Sequence, residues 1–137
     1  MSTDISLQTT TYQVGNRQWL LDEPDYKPNV TLDISAFTAG THYPNGYIPS
    51  GTAIGKVTAT GLFGPYDNTA DDGTEVCYGL TVADVRAVHH NGSAATKVGT
   101  GAVVSGAVSV AKLPFSSGAG AVDANAKADL PTIRFEA

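Results

Sequence analysis

The residues of this chain that are able to do chemistry are few and scattered. Of three histidines, His89 and His90 are neighbours beside Asn91-Gly92. Adjacent residues of extended chain point to opposite faces, so this pair does not converge on one metal and reads as part of a solvated loop. Asp67, Asp71 and Asp72 lie in the run D-N-T-A-D-D-G, which superficially suggests calcium. An EF-hand loop needs Gly at its sixth position and a bidentate Glu at its twelfth. Counted from Asp67, those positions hold Asp72 and Tyr78, so a turn kept polar by carboxylates is the better reading. Cys77 sits in an apolar run with no basic sequence neighbour to lower its pKa, and reads as a small buried hydrophobe. Ser93, Ser105 and Ser117 lack a G-x-S-x-G elbow, so no nucleophile is signalled. Gly99-Thr100-Gly101 and Gly118-Ala119-Gly120 match neither phosphate-loop spacing. Asn29-Val30-Thr31 and Asn91-Gly92-Ser93 are glycosylation sequons by pattern alone. No catalytic constellation, metal ligand set or cofactor is expected.

Composition narrows the classes further. At 137 residues one domain with one modest core is expected. Fifteen glycines and seven prolines, with many Thr, Val and Ala, favour short strands and turns over long helices. Charged residues make up 15% of the chain, against about 25% in an ordinary soluble domain. That leaves two readings: a surface covered by other chains, or a compact surface rich in Thr and Ser. The net charge is −5 and Lys and Arg form no cluster, which disfavours a nucleic-acid partner. A single cysteine allows no intrachain disulfide. Met1–Tyr12 is polar and lacks the basic start of a signal peptide, and Gly101–Ala111 is too short to span a bilayer. The chain is therefore expected to be soluble, cytoplasmically made and without a membrane partner.

The elements that must position these residues are mostly strands. Ile48–Asp67 reads as one β-hairpin with turn chemistry at both ends, Pro49-Ser50-Gly51 and Thr60-Gly61. Ile54, Lys56 and Thr58 point to one face and Ala53, Gly55, Val57 and Ala59 to the other; Gly64-Pro65 closes the return strand. Val30–Phe37 alternates at period two and predicts a half-buried strand. Thr38–Tyr47 is rich in turn residues. Glu75–Val88 predicts a strand with Val76, Tyr78, Leu80 and Val82 on one face and a bend near Ala83-Asp84, where the apolar alternation changes sides. Gly99–Leu113 predicts one continuous strand, buried on both sides or paired with another subunit, with Val104, Gly106, Val108 and Val110 on a common face. Asp123–Asp129 is the best helix candidate, capped by Asp123 and stopped by Pro131, and Thr132–Phe135 is a closing strand.

Met1–Pro28 differs from the remainder. Its Thr- and Ser-rich start alternates only weakly and buries too little to fold alone, but such a segment can add as a strand to another sheet. Its lone Trp19 has two possible places: a cap on the core of its own chain, or an anchor on a partner. The expected division is an extended arm over residues 1–28 and a β domain over residues 29–137.

Two function classes survive these readings, a structural assembly protein and a β-sandwich module that binds a carbohydrate or receptor. The six Tyr and one Trp leave the second open. The order and spacing of V-T-L-D-I-S-A-F, I-P-S-G-T-A-I-G-K-V-T, G-P-Y-D, Y-G-L-T-V-A-D-V, a V-x-G-x-V strand ending at Lys112-Leu113-Pro114, and L-P-T-I-R-F favour the first. Between Asn29 and Glu136 this pattern resembles the lambda-type head decoration proteins of tailed phages. The resemblance implies a mainly-β fold, a small β-tulip-like barrel with one short C-terminal helix and an extended N-terminal arm. It also implies a non-enzymatic homotrimer on the outer surface of the virion, at threefold and quasi-threefold positions, that cements neighbouring capsomers. The partners implied are the major capsid protein of the same phage and the chain itself. The long arm with Trp19 and the extended His89–Lys97 loop depart from the compact family pattern. Capsid contact is expected through Ile5, Leu7, Tyr12, Val14, Trp19 and Leu20, by strand addition and filled pockets. Low charge and the small residues near Gly106 point to Val104, Gly106, Val108 and Val110 as trimer contacts.

Overall fold

The fold was derived from a computed structural model, which describes residues 17–22, 26–89 and 91–136. The described chain runs β1 (Leu20–Asp22), β2 (Asn29–Asp33), α1 (Ala39–His42), β3 (Tyr47–Ile48), β4 (Ala53–Lys56), β5 (Phe63–Pro65), β6 (Gly79–Thr81), β7 (Val85–Arg86), β8 (Lys97–Val103), β9 (Gly106–Ser109), α2 (Ala124–Asp129) and β10 (Ile133–Glu136). The molecule is mainly β, with two short helices where one was expected. Five strands hydrogen-bond in a closed ring, in the order β2-β5-β4-β6-β8. A three-stranded sheet, β1-β9-β10, and a two-stranded sheet, β3-β7, complete the architecture.

The longest pairing in the ring joins β2 to β8 antiparallel, from Asn29 opposite Gly101 to Asp33 opposite Lys97. Val30 and Leu32 alternate inward as the sequence pattern requires. The strand ends four residues before the expected Phe37, because the Asp33 carboxylate accepts hydrogen bonds from the Ser35 N–H and hydroxyl. That local competition turns Ile34–Ala36 into a 3-10 turn, and Ile34 still reaches the core. The hairpin forms as expected, with Ile54 opposite Pro65 and Lys56 opposite Phe63.

Two expected strands break. Glu75–Val88 is extended only at Gly79–Thr81, then bends at residues 82–84 and resumes as β7 in another sheet. The bend lies where expected, but Val76 precedes the strand and is 55% exposed, so it does not share the face of Leu80. Gly99–Leu113 is not one strand either. β8 belongs to the ring, β9 to the three-stranded sheet, and a 3-10 turn at Val110–Lys112 follows. Gly106, at φ 114°, takes a backbone conformation that a side chain resists and begins the new strand there.

The core has two clusters. Leu32, Ile34, Phe37, Ile48, Ile54, Phe63 and Val85 form one. Trp19, Tyr66, Leu80, Val103, Val108, Leu130 and Ile133 form the other. Neighbours in β4 and β8 divide between them: Ile54 and Ala102 face the first, Ala53 and Val103 the second. α2 closes the second cluster with Ala126. The Asp123 carboxylate caps α2 by accepting the Ala126 N–H at 2.8 Å and receives the Tyr66 hydroxyl at 2.8 Å.

Candidate assembly site

Among the described residues, those that follow Arg17 are held at several points. The Leu20 N–H donates to the Arg17 carbonyl at 3.0 Å, closing a turn that aims the Trp19 side chain inward. The indole is 1% exposed, so of its two possible places the core of its own chain is the one occupied. Its Nε1–H donates to Ser50 Oγ at 3.1 Å. The Ser50 hydroxyl donates in turn to the Val82 carbonyl at 2.7 Å, and the Ser50 N–H to the Asp84 carboxylate at 2.7 Å. The Trp19 carbonyl accepts the Ser109 N–H at 2.7 Å. Gly51, at φ 93°, lies flush against the indole: a Cβ there would stand 2.9 Å from Trp19 Nε1 and 3.0 Å from Pro114 Cδ. The turn Pro49-Ser50-Gly51, legible in sequence only as a turn, is the receptor for Trp19. The missed signal is that a turn presenting both a hydroxyl and a bare backbone can seat an indole.

The expected contact residues divide unevenly. Ile5, Leu7, Tyr12 and Val14 lie outside the described residues, as does His90. Leu20 is half-buried in β1, opposite Val108. Val108 is 0% exposed, held between Leu20 on β1 and Phe135 on β10, so its side chain is occupied within its own chain. Val104, Gly106 and Val110 are half-buried on three different segments: the connection before β9, β9 itself, and the 3-10 turn after it. The shared apolar face expected of the four is corrected, because the chain changes sheets between Val104 and Gly106. Among the described residues, Leu21 at 51% and Tyr26 at 69% are the large apolar side chains left exposed ahead of β2, and sequence periodicity could not single them out.

The polar groups are engaged locally. Asp67 accepts from the N–H and hydroxyl of Thr69, and Asp72 does the same with Thr74. The hydroxyl bonds first, and then the amide bonds, hold both carboxyls below the ordinary value. Cys77 is buried, and burial followed by the nearby Asp129 carboxylate pushes its thiol up to about 12. Burial, then the hydrogen bond to Asp123, raises the Tyr66 phenol as well. His42, which the sequence did not distinguish, is buried with Nδ1 accepting the Thr38 N–H and Nε2 donating to the Ala119 carbonyl, both at 2.9 Å. Phe37 and Phe115 meet its ring edge-on at 5.5 Å, so it fastens the Ser116–Gly120 link to the domain. Among the described residues no group of three His, Cys, Asp or Glu is placed to share a metal, and no helix is long and apolar enough to cross a membrane.

Fold and site together define a small mainly-β protein in which Trp19, near the start of the described residues, is gripped by the core. Residues 12–133 match the family of bacteriophage lambda head decoration protein D, and the chain belongs to that family. Comparison with curated proteins and with solved structures gave no match. Family membership makes this chain a viral structural protein, a component of the phage virion associated with the capsid.

Proposed function

We propose that this chain is a cementing protein that docks as a homotrimer on the outer surface of the phage head, at threefold and quasi-threefold positions, and stabilises the shell. In this reading the ring of five strands is the small β-tulip-like barrel of the decoration fold. The arm comprises residues 1–16, and Ile5, Leu7, Tyr12 and Val14 meet the major capsid protein of the same phage as an added strand. Leu20 flanks that contact, and Val104, Gly106 and Val110 face a neighbouring copy. The family match across residues 12–133 carries the proposal. The low share of charged residues, 15%, supports a surface largely covered by other chains. A carbohydrate-binding role is less well supported, because Tyr66 is buried and Tyr43 and Tyr78 pack against the first core cluster. Among the described Tyr residues that leaves Tyr26 alone exposed, and a single ring is not a stacking platform.

Electron cryomicroscopy of expanded empty heads incubated with the protein tests the reading. Knobs of threefold symmetry on the outer surface at threefold and quasi-threefold positions are expected. Density inside the shell, or at fivefold positions alone, would contradict it.

A further inference from the structure

We infer that Trp19, Ser50 and Gly51 are positioning residues for capsid docking: they form a clasp that fixes where residues 1–16 leave the domain. The inference rests on the arm-docked reading proposed above. β1 cannot hold the root unaided. It has three residues, and its register against β9 shifts between Leu20 and Asp22. The clasp supplies what the short ladder lacks, tying Trp19 both to the Pro49-Ser50-Gly51 turn and to β9. The indole N–H meets Ser50, the Trp19 carbonyl meets Ser109 on β9, and the ring edge lies against Gly51, which itself abuts Pro114. Ser50 is oriented in turn by Val82 and Asp84 at the bend after β6.

The physical consequence concerns reach. Sixteen residues of chain reach at most roughly 50 Å when fully extended, more than the width of the domain, so the point at which they leave the domain decides which surfaces they can meet. Fixing the root confines its start to one edge of the sheet and raises the effective concentration of the arm at any surface that edge faces. An indole serves well here because it combines a large buried area with one directional N–H. Trp19 is also the only tryptophan in the chain, so its emission reports the clasp without labelling.

A double-mutant cycle tests the inference, with binding to expanded empty capsids as the readout. The four proteins are the intact chain, Trp19→Phe, a chain lacking residues 1–16, and the combination. Trp19→Phe keeps an aromatic core filler but removes the N–H and shrinks the ring. It is expected to weaken binding by at least about tenfold, since each loosened arm lowers the avidity of the whole. In the chain lacking residues 1–16, whose weak residual binding is read at capsid concentrations well above those of a sedimentation assay, the same substitution is expected to have no further effect. Ser50→Ala, which leaves the tryptophan in place, should weaken binding in the same direction and shift the Trp19 emission; it decides the matter if Trp19→Phe does not fold. Independent, multiplying effects of substitution and deletion would overturn the inference, as would full-strength binding by a folded Ser50→Ala protein. If only the deletion weakens binding, the clasp inference fails and the arm reading stands. If the deletion itself binds as tightly as the intact chain, both fail.

Discussion

Single residues carry more of this molecule than its unremarkable motifs suggest. Trp19, in the stretch that composition assigns to an arm, is a buried member of the second core cluster. Truncating a buried Trp typically costs about 3–5 kcal/mol, so the arm as a removable unit has to end before Arg17 rather than after Leu20. Cys77 behaves as its apolar sequence context indicates, and its burial makes a pH prediction with a definite sign. Its folded value, about 12, lies above the ordinary 9.0. The unfolded chain therefore releases the thiol proton first, and stability present below about pH 9 is expected to fall as pH rises toward 12. Tyr66, raised in the same direction, adds to that loss from its ordinary value of 10.0 upward. Urea midpoints measured between pH 8 and pH 10.5 should decline, and Cys77→Ala should flatten the first part of the decline. A thiol reagent at pH 8 should leave the folded protein unmodified. Rapid labelling of native protein would show that Cys77 is reached from solvent.

At the scale of elements, α2 depends on one side chain to an unusual degree. Asp123 caps the helix and also accepts the buried Tyr66 hydroxyl, so Asp123→Ala removes a cap and leaves a phenol unpaired. The expected loss is about 2 kcal/mol in urea unfolding, with Asp123→Asn losing less because Asn also caps well. A change below about 0.5 kcal/mol would mean that neither bond matters to the helix. This helix was legible in sequence because an acidic cap, a run of helix formers and Pro131 agree with one another. The hairpin was legible for the same reason: Gly51 and Gly61, both at positive φ, stand where the turns had to be. What was not legible is where strands change sheets. Val104, Ser105 and Gly106 continue the apolar alternation of Gly99–Leu113 without a proline or a polar run, yet the chain leaves the ring there. Period two reports which faces are apolar, not which neighbour a strand takes. Likewise, Asp33 reads as the polar position of an alternating strand, and only its hydrogen bonds to Ser35 reveal that it ends one. The candidate site was half legible. Trp19 stood out in sequence as the lone tryptophan, but a long-range contact between Trp19 and Ser50, 31 residues apart, leaves no local signature.

At the scale of the whole molecule, a two-cluster β core stands apart in sequence from the segment proposed to attach it. β4 and β8 supply Ile54 and Ala102 to one core cluster and Ala53 and Val103 to the other, where these pack with Val108 and Ile133 of the three-stranded sheet. The Trp19 clasp joins that core to residues upstream whose Thr-rich composition suits strand addition. In the proposed docking, fixing such a segment in one conformation would cost on the order of 1–2 kcal/mol per backbone residue, which main-chain pairing and buried aromatics would have to offset at the capsid surface. In the proposed trimer, three arms would make docking multivalent, so that individually weak arms would hold tightly together. The most direct measurement is co-sedimentation with expanded empty capsids, comparing the intact chain with one that starts at Arg17. The shortened protein is expected to melt within a few degrees of the intact one, to sediment alone as a trimer, and to remain in the supernatant when capsids are pelleted. A shortened protein that pellets with capsids as completely as the intact chain would contradict attachment by the arm.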